Sequence, residues 1–222
     1  MKKIIIFSFL ALAFLASCTQ KSIIDNADQV GISKITYYPI LTVKGDPYVF
    51  LASGTAFTDP GATAVAGSAT VSVVATGTVN TTTPGVYLVT YTATNKDGFS
   101  ASASRFVVVY STDASAAAND LSGNFARSTN GSIATWTKMA PGVYKVFNPG
   151  GAPGTSLTII AFNPTGFVIH VPSQPDSGGT TTSCTNAAGT ADIIYAPGPP
   201  AKYAWHVVNP GYGTSLRTFT KQ

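Results

Sequence analysis

Chemistry at a protein site needs groups that hold or move charge, and this chain has few of them. Its nine acids are all Asp; there is no Glu. Its two histidines, His170 and His206, lie between Ile169 and Val171 and between Trp205 and Val207. On an alternating strand each imidazole takes the face opposite those apolar neighbours, so both read as solvent-facing or hydrogen-bonded structural residues. A Ser-His-Asp set can be assembled from His206, Asp192 and one of many serines, but any Ser-rich chain allows that, and no Gly-x-Ser-x-Gly elbow is present. Glycoside hydrolysis needs two carboxyls at a set separation. After Asp120, the last hundred residues hold only Asp176 and Asp192. No Cys-x-x-Cys, His-x-x-x-His or close His–carboxylate cluster offers a metal site, and no glycine-rich phosphate loop precedes a helix. The sequence predicts no catalytic residue, no metal and no cofactor.

The remaining signal is aromatic. Trp136, Tyr144, Tyr195, Tyr203, Trp205 and Tyr212 all fall after residue 120, and both tryptophans are among them. Sugar rings present apolar C–H faces that pack on flat aromatics, while polar side chains take the hydroxyls. Tyr203 and Trp205 stand at i and i+2 and share one face of a strand. That face either lines a core or forms a stacking platform, and the same choice applies to Trp136. Tyr212, in an Asn-Pro-Gly-Tyr-Gly turn, is expected at the surface. Trp136, Tyr203, Trp205 and Tyr212 are therefore the candidate ligand-binding residues, with a glycan as the ligand class.

Composition fixes the fold class. Charged residues are 10% of the chain, while Thr, Val, Tyr, Phe, Gly and Pro are abundant. β-Branched and aromatic residues suit pleated, half-buried surfaces, so the chain is predicted all-β. The formal charge is +4, and without Lys2 and Lys3 it is +2. No basic run occurs, so a nucleic-acid partner is not expected.

The first 17 residues read as an export signal: Lys2 and Lys3, then an apolar run over residues 4–15, too short to span a membrane. Leu15-Ala16-Ser17-Cys18 resembles the lipobox of bacterial lipoproteins. That resemblance implies cleavage before Cys18 and a diacylglycerol on its thiol, a durable membrane anchor once further acylated. Thr19, where Asp would signal inner-membrane retention, implies the outer membrane; the face it occupies is left open. Residues 18–33 are the lipidated tether. Cys184 then has no intramolecular disulfide partner, and its surroundings, residues 180–188, read as a polar loop with an idle thiol.

Residues 34–110 read as strands and turns, with strands at residues 35–41, 48–51, 71–76, 86–94 and 100–110. The last two flank Asn95-Lys96-Asp97-Gly98, a turn suited to positive φ, and make a terminal hairpin. Residues 111–119, small and polar, are the linker. Residues 120–222 carry about eight short strands, which suits a small antiparallel β-barrel or sandwich. No helix is expected after the leader. Tyr144-Lys145-Val146-Phe147-Asn148-Pro149-Gly150 echoes Trp205-His206-Val207-Val208-Asn209-Pro210-Gly211, and each is followed by Gly-Thr-Ser-Leu. The echo is either a duplicated hairpin or repeated turn chemistry.

Phe57-Thr58-Asp59-Pro60-Gly61-Ala62, Gly77-Thr78-Val79, Pro84-Gly85-Val86-Tyr87-Leu88-Val89-Thr90-Tyr91, Asp97-Gly98 and Arg105 resemble a bacterial immunoglobulin-like domain of the kind found in pesticidal crystal toxins and surface proteins. The resemblance implies a sandwich and says little about function. Asp59 is expected to open a turn at Pro60-Gly61 rather than bind calcium. Leu121-Ser122-Gly123-Asn124-Phe125-Ala126-Arg127, with Pro141-Gly142-Val143-Tyr144-Lys145-Val146, resembles the C-terminal domain of uncharacterised Bacteroidetes lipoproteins. Residues 172–188 depart from that pattern as a long Gly-, Ser- and Thr-rich loop. The resemblance implies a non-catalytic outer-membrane lipoprotein that binds glycan beside a polysaccharide uptake system. The alternative is a structural or adhesive lipoprotein whose partner is another outer-membrane protein.

Overall fold

The computed structural model describes residues 29–30, 33–176 and 179–222. The leader, Cys18 and the tether up to residue 28 lie outside the described residues. At the end of the predicted tether, β1 (Gln29–Val30) and β2 (Ser33–Lys34) pair antiparallel. Residues 39–222 form one compact unit containing two β bodies.

The first body is a sandwich. One sheet joins β3 (Ile40–Val43), β5 (Ala62–Ala66) and β6 (Ala69–Val71). The other joins β4 (Tyr48–Ala52), β9 (Ser100–Tyr110), β8 (Gly85–Thr94) and β7 (Val73–Thr76) in that order, with β4 parallel to β9. The sequence suggests one strand over residues 71–76, but the chain breaks at Ser72 and passes from one sheet to the other. Such a crossing keeps the alternation and so leaves no mark on it. Val89, Tyr91 and Val107 face the core with Leu41, Leu51 and Phe57, the parity that alternation predicts for β8.

The opposite face of β8 and β9 changes character along its length. Thr90–Ser104, Thr92–Ser102 and Thr94–Ser100 pair hydroxyl to hydroxyl across the strands at 3.1, 3.0 and 2.7 Å. Nearer the domain's end the same face carries Val86, Phe106 and Val108, and there the second body covers it. The switch from hydroxyl to apolar marks the footprint of the neighbour.

The second body comprises β10 (Gly123–Arg127), β11 (Ile133–Ala140), β12 (Val143–Phe147), β13 (Thr158–Phe162), β14 (Val168–Pro175), β15 (Thr181–Thr185), β16 (Asp192–Ile194), β17 (Lys202–Val208) and β18 (Arg217–Lys221). Their order is β13-β12-β11-β10-β18-β17-β15-β14, and a bridge from β14 back to β13 closes the ring; β16 pairs with the first residues of β14, on the edge opposite β13, and buries Ile193 in the barrel core. Of the two architectures the sequence allows, this is the barrel. Around the ring, β10 to β13 and β14, β15, β17 and β18 form two meanders of equal size and sense. The echoed segments β12 and β17 occupy matching places in them, each the third strand of its meander. The echo is thus two equivalent hairpins, each turning through Asn-Pro-Gly with the same backbone bond, Gly151 to Asn148 and Tyr212 to Asn209.

The β13–β14 seam has a single ladder bridge, Phe162↔His170. Buried Gln174 extends it: its amide donates to the Ile160 carbonyl at 2.7 Å and accepts from the Ile160 N–H at 2.8 Å. The side chain thereby does the work of a backbone pair.

Two expectations need correction here. The loop expected over residues 172–188 holds the end of β14 and all of β15. Thr182 and Cys184 point inward and are buried; hydroxyls and thiols fill the inner face, so no apolar alternation announces the strand. The linker contains a one-turn helix, α1 (Ala114–Ala117), capped by Asp113, whose carboxylate accepts the Ser115 N–H at 2.8 Å. Asp113 N–H and the Asn119 amide also bond to Pro164 and Gly166 carbonyls of the barrel.

Candidate functional site

Three of the four candidate ligand-binding aromatics are core residues. Trp136 and Tyr203 are each 2% exposed and Trp205 is fully buried. The indoles of Trp136 and Trp205 stack at 5.6 Å, and the Tyr203 ring stacks on Phe219 at 4.9 Å. Each polar tip is satisfied inside: Trp136 Nε1–H donates to the Tyr203 hydroxyl at 2.9 Å, and Trp205 Nε1–H to the Pro149 carbonyl at 2.8 Å. Burial pushes the Tyr203 phenol well above its ordinary range. Tyr203 and Trp205 do share a face, and it is the inside of the barrel. Eight strands enclose an interior that large side chains fill, so these rings offer no platform to a ligand.

Tyr212 differs. It sits in the β17–β18 loop, half-buried, lining an open groove of about 700 Å³ with Thr181, Thr185, His206, Val208 and Asn209. Its ring is fixed from several sides. The Arg217 guanidinium stacks over it at 5.2 Å, and its hydroxyl lies 3.2 Å from Thr155 Oγ1. Gly150, of the opposite Asn-Pro-Gly loop, lies beneath it so closely that a Cβ there would fall 1.9 Å from the ring. The two loops therefore meet over one end of the barrel.

That contact yields a direct expectation. Gly150→Ala displaces the Tyr212 ring while leaving the barrel folded; tyrosine fluorescence and near-ultraviolet circular dichroism report the displacement, and an unchanged signal would refute the packing.

The groove's other wall is pre-organised by a buried carboxylate. Asp176, 5% exposed, accepts from Thr180 Oγ1 at 2.7 Å, Thr182 Oγ1 at 2.5 Å and Asn209 Nδ2 at 2.9 Å. Asn209 Oδ1 accepts from the Gly211 N–H at 2.8 Å. Asn209 thus links the carboxylate to the turn that carries Tyr212.

Elsewhere the chemistry is sparse. His170 and Asp192 face each other across β14 and β16, 3.3 Å apart and both open to water, beside a second hollow of about 520 Å³. Among the described residues the hydrogen bond of that imidazole is to Asp192 and to no hydroxyl or thiol. His206 and Asp192, joined on paper above, are on separate strands and do not bond to each other. Cys184 is fully buried, and burial raises its thiol pKa strongly, which leaves it inert. Asp59 opens the expected turn, accepting the Gly61 N–H at 3.0 Å. It also accepts from the Tyr91 hydroxyl at 2.5 Å and pairs with fully buried Arg105, contacts that sequence spacing does not show.

Sequence reasoning also passed over Arg127 and Arg217. Each stands two residues from a buried Phe, Phe125 and Phe219, so strand parity alone points both into the barrel end.

Comparison with known proteins bears on the first body. Residues 41–109 match the family model described as bacterial surface protein, Ig-like domain. The match runs from β3 to β9, the sandwich described above. A solved structure, the lipoprotein BT2262 from Bacteroides thetaiotaomicron, is similar over 83% of this chain and 100% of its own, at 22% identity and a TM-score of 0.40. No curated protein matches the chain.

Proposed function

We propose that this chain is a non-catalytic, lipid-anchored protein of the bacterial outer membrane that binds glycan at the mouth of its barrel, beside a polysaccharide uptake system. The observation that carries the reading is the groove at Tyr212. It pairs one immobilised aromatic ring with an apolar floor and a rim of Thr, Asn and His, the mixture that sugars require. The Ig-like domain, of a family of bacterial surface proteins, and the Cys18 lipobox support display from a membrane. The scarcity of paired acid–base groups supports binding without turnover.

Glycan-array binding of the full chain in detergent tests this. Tyr212→Ala is expected to abolish a signal that the wild-type chain gives, with an unchanged circular dichroism spectrum. A folded wild-type chain silent on every glycan would overturn the reading.

A second reading, binding to another envelope protein, has its own support. Ile40, 66% exposed, and Val65, 42% exposed, are direct cross-strand partners on the outer face of the Ig-like domain, the kind of apolar surface that protein partners cover.

A further inference from the structure

Arg127 and Arg217 occupy the end of the barrel beneath the two Asn-Pro-Gly loops. Arg127 is the cross-strand partner of Phe219, and Arg217 is two residues from Phe219 on the same strand. Both point inward, as diagonal neighbours on adjoining strands. Arg217 is 6% exposed, and Arg127 is half-buried.

Neither pairs with a carboxylate among the described residues. Among the described residues the ion pairs are Arg105–Asp59 and His170–Asp192, far along the chain from this cluster. Their hydrogen bonds, among the described residues, go to loop carbonyls, and the Arg217 guanidinium also stacks on Tyr212. Arg127 Nη1 lies 3.4 and 3.3 Å from the Gly150 and Gly151 oxygens, and Arg217 Nη1 lies 3.4 and 2.9 Å from those of Gly213 and Ser215. Three of those four contacts are long for a hydrogen bond. The Nε–H of each is buried without any acceptor. Two adjacent like charges, one buried and one half-buried, each with an unused buried donor, call for a counter-charge. Burial and then the Arg127 charge pull the Arg217 pKa below its usual value, in keeping with two cations held close.

We propose that this Arg127–Arg217 cluster is an anion subsite, and that it takes the carboxylate or sulfate group of an acidic glycan lying in the Tyr212 groove. The glycan part rests on the reading above; the subsite does not. Arginine presents planar, paired donors that match a carboxylate or sulfate edge. Tyr212 connects the two places: its ring lines the groove, and Arg217 stacks on it. The loop carbonyls that now face Nη1 are weak acceptors beside an oxyanion, and three of the four contacts are long, so an anion would compete with them favourably.

The test uses the full chain in detergent with three probes: inorganic sulfate against chloride at equal ionic strength, an oligogalacturonate, and the same oligosaccharide methyl-esterified. Sulfate is expected to raise the wild-type thermal midpoint above the chloride control, and Arg127→Gln and Arg217→Gln to lose that response. Arg217→Lys, which keeps charge without the fork, is expected to retain part of it. Oligogalacturonate affinity should fall about 10- to 100-fold in the Gln variants, the worth of one or two charge-assisted hydrogen bonds. If sulfate stabilises the wild type through the arginines and no sugar binds, the subsite stands and the glycan reading falls. If acid and methyl ester bind alike and the Gln variants bind both as the wild type does, the glycan reading stands and the subsite is overturned. Absence of any arginine-dependent anion response also overturns it. Should Arg217→Gln fail to fold, Arg127→Gln and Arg217→Lys carry the same comparison.

Discussion

Trp205→Ala is expected to destabilise the barrel by about 3–5 kcal/mol, the range for deleting a large buried aromatic. Trp205 is fully buried and stacks on Trp136. It also ties the first Asn-Pro-Gly loop to the interior through Pro149. Its loss removes apolar contacts, leaves a cavity and frees a carbonyl at once. A typical domain holds only about 5–15 kcal/mol in reserve, so a sizeable unfolded population follows. Urea denaturation followed by tryptophan and tyrosine fluorescence reads the change. The contrast is Tyr212→Ala, which should cost far less stability and remove binding. A Trp205→Ala chain as stable as the wild type, with its ligand binding gone, would put that ring at the surface and invert the assignment.

Asp59→Asn is the second large effect, in the Ig-like domain. It leaves Arg105, fully buried, without its counter-ion; because Asp59 itself is open to water, the loss is that of a screened, charge-assisted bond, about 1.5–3 kcal/mol. The substitution also changes how stability depends on pH. Desolvation alone would raise the Asp59 carboxyl, but hydrogen bonds from Tyr91 and the Gly61 amide, with the Arg105 charge, outweigh it and hold the pKa below the usual value. A carboxyl lowered in the folded state binds protons more readily when unfolded. Its stabilisation is complete above the unfolded pKa of about 4 and is lost as pH falls through the folded value. Wild-type stability should therefore drop on the acid side, and Asp59→Asn should lack that component; thermal midpoints measured from pH 7 down to pH 3 decide it. Tyr91, pushed up to about 12 by burial and by its bond to Asp59, stays neutral throughout.

These two sites mark how far the sequence could be read. Alternation along β8 and β9 gave the sandwich its faces, because Val, Tyr and Thr separate cleanly by parity. That Tyr203 and Trp205 share a face followed from their spacing, but parity cannot say whether a shared face is enclosed. Closure decides that, and it depends on the β10–β18 pairing between the first and last strands of the barrel. Strand β15 was missed because its buried residues are Thr182 and Cys184, satisfied by Asp176 and by packing rather than by an apolar pattern. The Asp59–Arg105 pair joins residues 46 positions apart, and the two arginines at the barrel end are 90 apart in sequence. Local patterning carries no information on such meetings.

The apolar footprint on β8 and β9 also governs how the molecule can be dissected. Val86, Phe106 and Val108 would be surface residues of a free-standing Ig-like domain, yet here they meet Val143, Ile160 and Phe162. A cut in the residues that join the two bodies would strip this greasy plate from both fragments at once. Each would then carry an adhesive side with no counterpart in the whole chain, prone to self-association and to false partners in any pull-down. Fragments are thus poor proxies for the parent, and the joined form is the smallest unit whose surface can be trusted.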